Sequence, residues 1–491
     1  MTVRLRFLPL VAALGSLGFV VVVWVAYFWV AGDTPFVMDG SNAFLNCLSQ
    51  HDYSACGYTG KLNYWGLMSP IGDWPLLQHV PDLISIKVGA NGHAARERIL
   101  ELLNVAAVVG AIVLAWITLS RIGQRAWFWG FLFIVLTSPL VWYTRTTAAE
   151  PLATGYLVAL IAATALRAPG PVVALAAIGA CWTKETAYPF VAALGVLGLV
   201  LAQRRTGKTI WAHLLWGAAG MTVAITLASL FNEVRFGKVL NPNLFERQLH
   251  TNGTARQLEY AAGLLVSPSG GMFVFWPAAS VLVLTACLLP IVRRRSGDGR
   301  PALVLAFVVA GLIFGFASWW TTFGWGGYGP RLFLPWGLPL VLIVLVAYAD
   351  PLGRVVRRVL TPLWGLALVF ALGFALALPH IGHMWRPHAT DRFFDQPKPR
   401  CDAPWRGGEE RWNKCQHEQM WLDRPMPLYA LHGLRSPAGV ATSIVVAAGL
   451  LGCLLLLRSG LTQTGDERAW RCRSQRGKPS AVRSDTTPLH L

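Results

Sequence analysis

Residues 171–202 read PVVALAAIGACWTKETAYPFVAALGVLGLVLA, and how this stretch divides decides the course of the whole chain. As one long helix it would place Lys184 and Glu185 in the middle of an apolar run, where ionisable side chains are costly if the medium is hydrocarbon. As two spans, 171–183 and 187–202, it turns at Thr183-Lys184-Glu185-Thr186 and brings those charges to a surface. The choice fixes the side of every later connection. One span would put Arg293, Arg294, Arg295, Arg357 and Arg358 opposite the other basic loops; two spans keep all of them together. Lys and Arg gather in cytoplasmic loops, so the hairpin is the expected form.

The rest of the chain repeats the pattern. Of 491 residues 54% are hydrophobic and 13% charged, with a mean hydropathy of +0.48, where a soluble chain carries about a quarter charged residues. Further apolar runs fall at 8–31, 98–119, 126–142, 147–166, 210–231, 272–291, 301–320, 332–349, 358–379 and 437–457. The expected fold is an all-α polytopic membrane protein of about twelve transmembrane helices. The first run, Phe7 to Ala31, follows Arg4 and Arg6. Its length exceeds the roughly 7–15 apolar residues of a signal-peptide core, so it is expected to stay as a first helix.

With Arg4 and Arg6 inside, the connections 121–125, 167–170, 203–209, 292–300 and 350–358 are cytoplasmic and together hold thirteen Lys and Arg. The short loops opposite hold three: Arg145, Lys184 and Arg331. That asymmetry is the positive-inside pattern. It accounts for the net charge of +18 through membrane orientation, without nucleic acid. The expected location is a bacterial inner (plasma) membrane, with both termini cytoplasmic. Arginine-rich, lysine-poor usage suits a GC-rich bacterial genome.

Three long segments then face outward: 32–97, 232–271 and 380–436. The organisation expected is a catalytic module over 1–350, further helices over 351–457 and a basic cytoplasmic tail over 458–491. Cys47 with Cys56, and Cys401 with Cys415, form an even pair in each of two outer loops, which reads as two local disulfides on an oxidising side. The alternative is four free thiols. Cys181, Cys287 and Cys453 fall in spans.

Four polar clusters fall on the outer face under this layout: Met38 to Asn42 around Asp39, Tyr143 to Pro151 around Arg145 and Glu150, Thr183 to Thr186 around Lys184 and Glu185, and Trp319 to Arg331. Asp39 and three stretches make the chain resemble the GT-C superfamily of polytopic glycosyltransferases. Asp39 follows the first helix in a large outer loop. Tyr64 to Leu77 (YWGLMSPIGDWPLL) is similar to a "pPPGyPlL"-like segment. Arg145…Glu150-Pro151 and Gly326 to Pro335 (GGYGPRLFLP) are similar to "SR…EP" and "GG…GPRyllP" patterns. The resemblance covers residues 1–350 and implies a polyprenyl-phosphate sugar donor, an extracytoplasmic glycan, lipid or protein acceptor, and Asp39 as the acidic catalytic residue. Asp39 lacks the adjacent acid of many relatives, so a divalent metal, Mg or Mn, stays open.

The residues suit that chemistry on their own terms. A base must take a proton from the acceptor hydroxyl, and a carboxylate near a low-dielectric surface is suited to it. Asp39 fills that role. The leaving lipid phosphate gains negative charge and needs cations, and the arginine fork matches phosphate oxygens. Arg331 is the first candidate, with Arg145 and Lys184 assisting. Glu150 and Glu185 are expected to orient these cations. Trp319, Trp320 and Trp325 line a lipid or sugar groove or anchor the interface. His380, His383 and His388 lack the partners that would complete a metal set, and Asn252-Gly253-Thr254 matters only in a eukaryotic secretory pathway. No Walker, dinucleotide or GxSxG motif occurs. A transporter or lipid flippase, or a noncatalytic envelope-assembly subunit, stands as the alternative.

Overall fold

The structure, a computed structural model, describes residues 93–144, 150–183, 191, 211–236, 239, 253–292, 299–318, 330–358, 409–421, 437, 440, 441, 444 and 447–461. Among these every regular element is helical. The helices are α1 (His93–Arg121), α2 (Ala126–Leu136), α3 (Leu140–Tyr143), α4 (Glu150–Leu166), α5 (Gly170–Thr183), α6 (Trp211–Phe236), α7 (Thr254–Val266), α8 (Met272–Phe275), α9 (Pro277–Val292), α10 (Gly299–Ala317), α11 (Leu334–Arg358), α12 (Glu409–Met420) and α13 (Ala447–Leu461).

Among the described residues, three segments are long and apolar enough to cross a membrane: Leu102–Arg121, Trp211–Leu230 and Arg331–Gly353. The runs expected at 8–31, 187–202 and 358–379 lie outside the described residues apart from Val191 and Arg358, as do Phe7 and the basic tail beyond Leu461.

Burial sorts the helices by role. α2 is AWFWGFLFIVL, hydrophobic all round, and is buried from Trp127 to Leu136, as a helix enclosed by others must be. α11 is likewise enclosed, with every residue from Leu334 through Leu345 buried. α6 is the opposite case. Trp211, Leu215, Trp216, Val223, Leu227 and Leu230 are exposed along it, the pattern of a helix facing hydrocarbon rather than water.

Contacts fix the directions. Arg331, just ahead of α11, meets Glu150, the first residue of α4, and the two helices pack along each other, so they run parallel. At the far end of α11, Asp350 accepts a hydrogen bond of 3.0 Å from Gln124 Nε2 in the α1–α2 turn. Gly353 lies against Trp127 and Leu461, and Gly460 against Ala126. The α1–α2 turn, the end of α11 and the end of α13 therefore gather at the end of the bundle opposite Arg331.

The α5–α6 pair answers the parity question. Ala168 O meets His213 Nε2 at 2.8 Å, Gly170 meets Trp216, Gly220 meets the backbone of Ala174, and Trp182 Nε1 donates to Ala224 O at 3.1 Å. Residue numbers rise together, so α5 and α6 are parallel. Thr183 and Trp211 accordingly sit at opposite ends of the bundle, as two spans on either side of a turn after Thr183 require.

Several boundaries differ from the hydropathy reading. The connection expected at 350–358 is helical, because α11 continues to Arg358 with Pro339 and Pro351 inside it. Charged residues close the apolar run there without ending the backbone ladder. The run 126–142 is broken between α2 and α3, where Thr137 and Ser138 bond back to Phe133 O and Val135 O at 2.9 and 2.7 Å ahead of Pro139, which lacks an amide to continue the ladder. The run 272–291 divides at Trp276 ahead of Pro277.

The segments expected as outer loops contain helix. α6 continues to Phe236, α7 occupies part of 232–271 and α12 part of 380–436. α12 docks on α7: His417 Nδ1 faces Glu259 Oε1, the Met420 sulfur lies against Gly263, and Ser267 Oγ donates to Met420 O at 2.6 Å. Glu259, Gly263 and Ser267 are spaced four apart and so share one helix face.

Candidate functional site

Arg331 opens a short 3-10 turn that leads into α11. Pro330 O starts this turn, accepting from the amides of Phe333 at 2.8 Å and Leu334 at 3.2 Å. Glu150 begins α4, where the positive end of the helix dipole favours a carboxylate, and Pro151 follows at a position where its missing amide costs nothing. Arg331 Nε donates to Glu150 Oε1 at 2.9 Å. The Glu150 side chain is 1% exposed and that of Arg331 16%.

Removing a carboxylate from water without a partner is prohibitive. A guanidinium stays charged at every accessible pH, so the pair is held together by mutual need. The contact through Nε employs one of the five N–H donors that a guanidinium carries.

Around the pair, Phe333 packs against Phe316 at the end of α10, with ring centroids 6.1 Å apart. Tyr143 and Thr144 are buried at the end of α3. Tyr156 of α4 lies against Gly179 of α5, which brings buried Thr183 to the level of Glu150. The chain thus enters or leaves this end at Thr144, Glu150, Thr183, Ser318 and Pro330. These are the flanks of the sequence clusters that hold Arg145, Lys184, Glu185, Trp319, Trp320 and Trp325. Those six residues, with Asp39, Cys47, Cys56 and Cys401, lie outside the described residues. Cys415 is buried in α12, and Cys181, Cys287 and Cys453 lie in α5, α9 and α13.

One residue here escaped the sequence reading. Trp276, fully buried, donates its indole N–H to Ile134 O at 3.0 Å. Its ring fills the space above Gly337 of α11, where a Cβ would come within 2.0 Å of it. The sequence signal was faint: a Trp-Pro step inside an apolar run reads as one more interfacial tryptophan.

For metal binding, no group of three or more His, Cys, Asp or Glu converges among the described residues.

Together these features describe, among the described residues, a helical bundle with membrane-length apolar helices and a partly buried ion pair at one end. No protein-family model matches the chain, and no curated protein does. Two solved structures of ArnT from Cupriavidus metallidurans overlap it at 15% identity. The apo state gives a TM-score of 0.48 over 91% of this chain and 76% of that one. The form bound to undecaprenyl phosphate gives 0.43 over 89% and 77%. At that identity and those scores the likeness transfers neither a family nor a chemistry.

Proposed function

We propose that the chain is a GT-C-type membrane glycosyltransferase. It moves a sugar from a polyprenyl-phosphate donor to an extracytoplasmic glycan, lipid or protein acceptor. The observation that carries this reading is the partly buried Arg331–Glu150 pair at the end of the bundle where the flanks of the outer clusters meet. A cation fixed in orientation at an apolar boundary is what a departing lipid phosphate requires, since preorganised charge stabilises developing charge without reorganisation. Glu150 holds the Arg331 plane, with Arg145 and Lys184 assisting. Asp39 accepts the proton of the acceptor hydroxyl as its oxygen attacks the anomeric carbon. The bond from that carbon to the phosphate oxygen breaks, and the lipid phosphate leaves with the electron pair. A divalent metal at Asp39 remains compatible with this scheme and no step is assigned to it.

The test uses purified protein in nanodiscs, with polyprenyl-phosphate-linked sugar as donor and mass spectrometry of the lipid product. Asp39→Asn is expected to abolish release of polyprenyl phosphate while leaving binding of undecaprenyl phosphate intact. Arg331→Lys keeps the charge opposite Glu150 and loses the fork; it is expected to weaken lipid-phosphate binding by roughly tenfold, about 1.4 kcal/mol. Full turnover in Asp39→Asn, or unchanged lipid affinity in Arg331→Lys, overturns the corresponding assignment. Lipid flux across proteoliposomes without sugar transfer would favour a transporter instead.

A further inference from the structure

We propose that Trp276 is a positioning residue for the Arg331–Glu150 pair, acting through both helices that deliver the two partners. This rests on the role given to Arg331 above, and it starts from the break between α2 and α3. In an unbroken helix Ile134 O would accept the amide of Ser138. Here Ser138 N–H bonds to Val135 O instead, at 3.0 Å, and Thr137 Oγ1 approaches Ile134 O only at 3.4 Å. A main-chain carbonyl at membrane depth needs a good donor, because no water competes to supply one. The Trp276 indole N–H is that donor, at 3.0 Å.

The same ring is bound on its other side by α11. Gly337 lies six residues after Arg331, and nothing larger than a hydrogen fits there: a Cβ would fall 2.0, 2.4 and 2.9 Å from three indole carbons. The indole is rigid and wholly enclosed, so it cannot yield as a flexible chain end would. Trp276 therefore sets the distance between the broken end of α2 and the first turns of α11. The α2 break directs the chain through α3 to Thr144 and on to Glu150. The first turns of α11 carry Arg331. One side chain gauges the separation of the two elements from which the ion pair is built.

The experiment compares Trp276→Phe, which keeps an aromatic ring and deletes the N–H, with Trp127→Phe, an equally buried tryptophan at the opposite end of the bundle. Two readouts are taken on the full chain in nanodiscs: the Kd for undecaprenyl phosphate, and the ¹⁵N–¹H resonance of Arg331 Nε, assigned by its loss in Arg331→Lys. Trp276→Phe is expected to weaken lipid affinity by about fivefold, the scale of one well-placed hydrogen bond, and to move the Arg331 resonance. Trp127→Phe is expected to change neither, whatever it does to the melting temperature.

Gly337→Ala gives an independent approach from the α11 side. It is expected to perturb both readouts in the native background and much less in Trp276→Phe, where the shorter ring leaves room for the methyl group. An Arg331 resonance that responds alike to Trp276→Phe and Trp127→Phe overturns the proposal. If the resonance moves selectively while lipid affinity is unchanged in Arg331→Lys, the positioning role stands and the assignment of Arg331 to phosphate falls.

Discussion

Two helix ends at the same end of the bundle are closed by the same hydrogen-bond pattern with different residues. After α1, Gln124 N–H reaches Leu119 O at 2.7 Å and Gly123 N–H reaches Ser120 O at 3.2 Å, with Gly123 at φ +77. After α4, Ala168 N–H reaches Ala163 O at 2.9 Å and Arg167 N–H reaches Thr164 O at 3.3 Å, with Arg167 at φ +57. The left-handed position suits glycine, and a residue with a Cβ there costs about 1 kcal/mol. Arg167→Gly is therefore expected to raise stability by up to about 1 kcal/mol, read as a higher melting temperature in the same detergent. No gain would mean that the arginine side chain supplies a compensating contact. Under the proposed sidedness this turn is cytoplasmic, where a cation is favoured, and the backbone strain is small beside that preference. The sequence reading placed Arg167 in its loop correctly, but a backbone angle is invisible in a string of side chains. The link between Arg331 and Glu150 was half visible. Both were singled out by charge, and the expectation that Glu150 would orient a cation was specific. Their separation of 181 residues left the choice of partner to the packing.

Among the elements, α5 and α6 approach closely because glycine lines the contact. A Cβ on Gly220 would lie 2.4 Å from Ala174 O, a backbone atom that cannot swing aside, whereas one on Gly217 would meet only Val173 at 3.8 Å. Small residues at such crossings let helix backbones pack in the absence of a hydrophobic drive between helices in lipid. Gly220→Val is expected to cost about 1–3 kcal/mol as overpacking. Gly217→Ala, by contrast, should stay within about 0.5 kcal/mol of the parent, the range of a substitution that clashes with nothing. Equal melting temperatures for the two variants would contradict the close crossing. Although α1, α6 and α11 run past their apolar stretches into polar residues, the positions of α4, α5 and α10 were legible from hydropathy. The breaks at Ser138-Pro139 and Trp276-Pro277 were not. Each proline was in view, but whether a proline kinks, breaks or merely sits in a helix depends on which neighbour satisfies the freed carbonyl. Pro339 and Pro351, inside α11, show the other outcome.

For the molecule as a whole, the parallel course of α5 and α6 and the gathering of Gln124, Asp350 and Leu461 at one end make the orientation testable. With the Arg331 end outside, a cysteine at Ser318 should react with a membrane-impermeant maleimide on intact cells. A cysteine at Arg125, exposed at the opposite end, should react only after permeabilisation; the reverse pattern would invert the proposed sidedness. The parity was legible in the sequence because thirteen basic residues against three is a strong vote, and each loop casts it independently. The sugar and the acceptor were not legible, because specificity resides in the shape of a site rather than in a fold. The exposed face of α6, from Trp211 to Leu230, belongs against lipid tails, and any amphiphile used to extract the protein must replace them there. The alkyl length of the surfactant thereby becomes part of the protein's thermal behaviour, and short-chain surfactants leave the tryptophans of α6 as sites for adhesion between extracted copies.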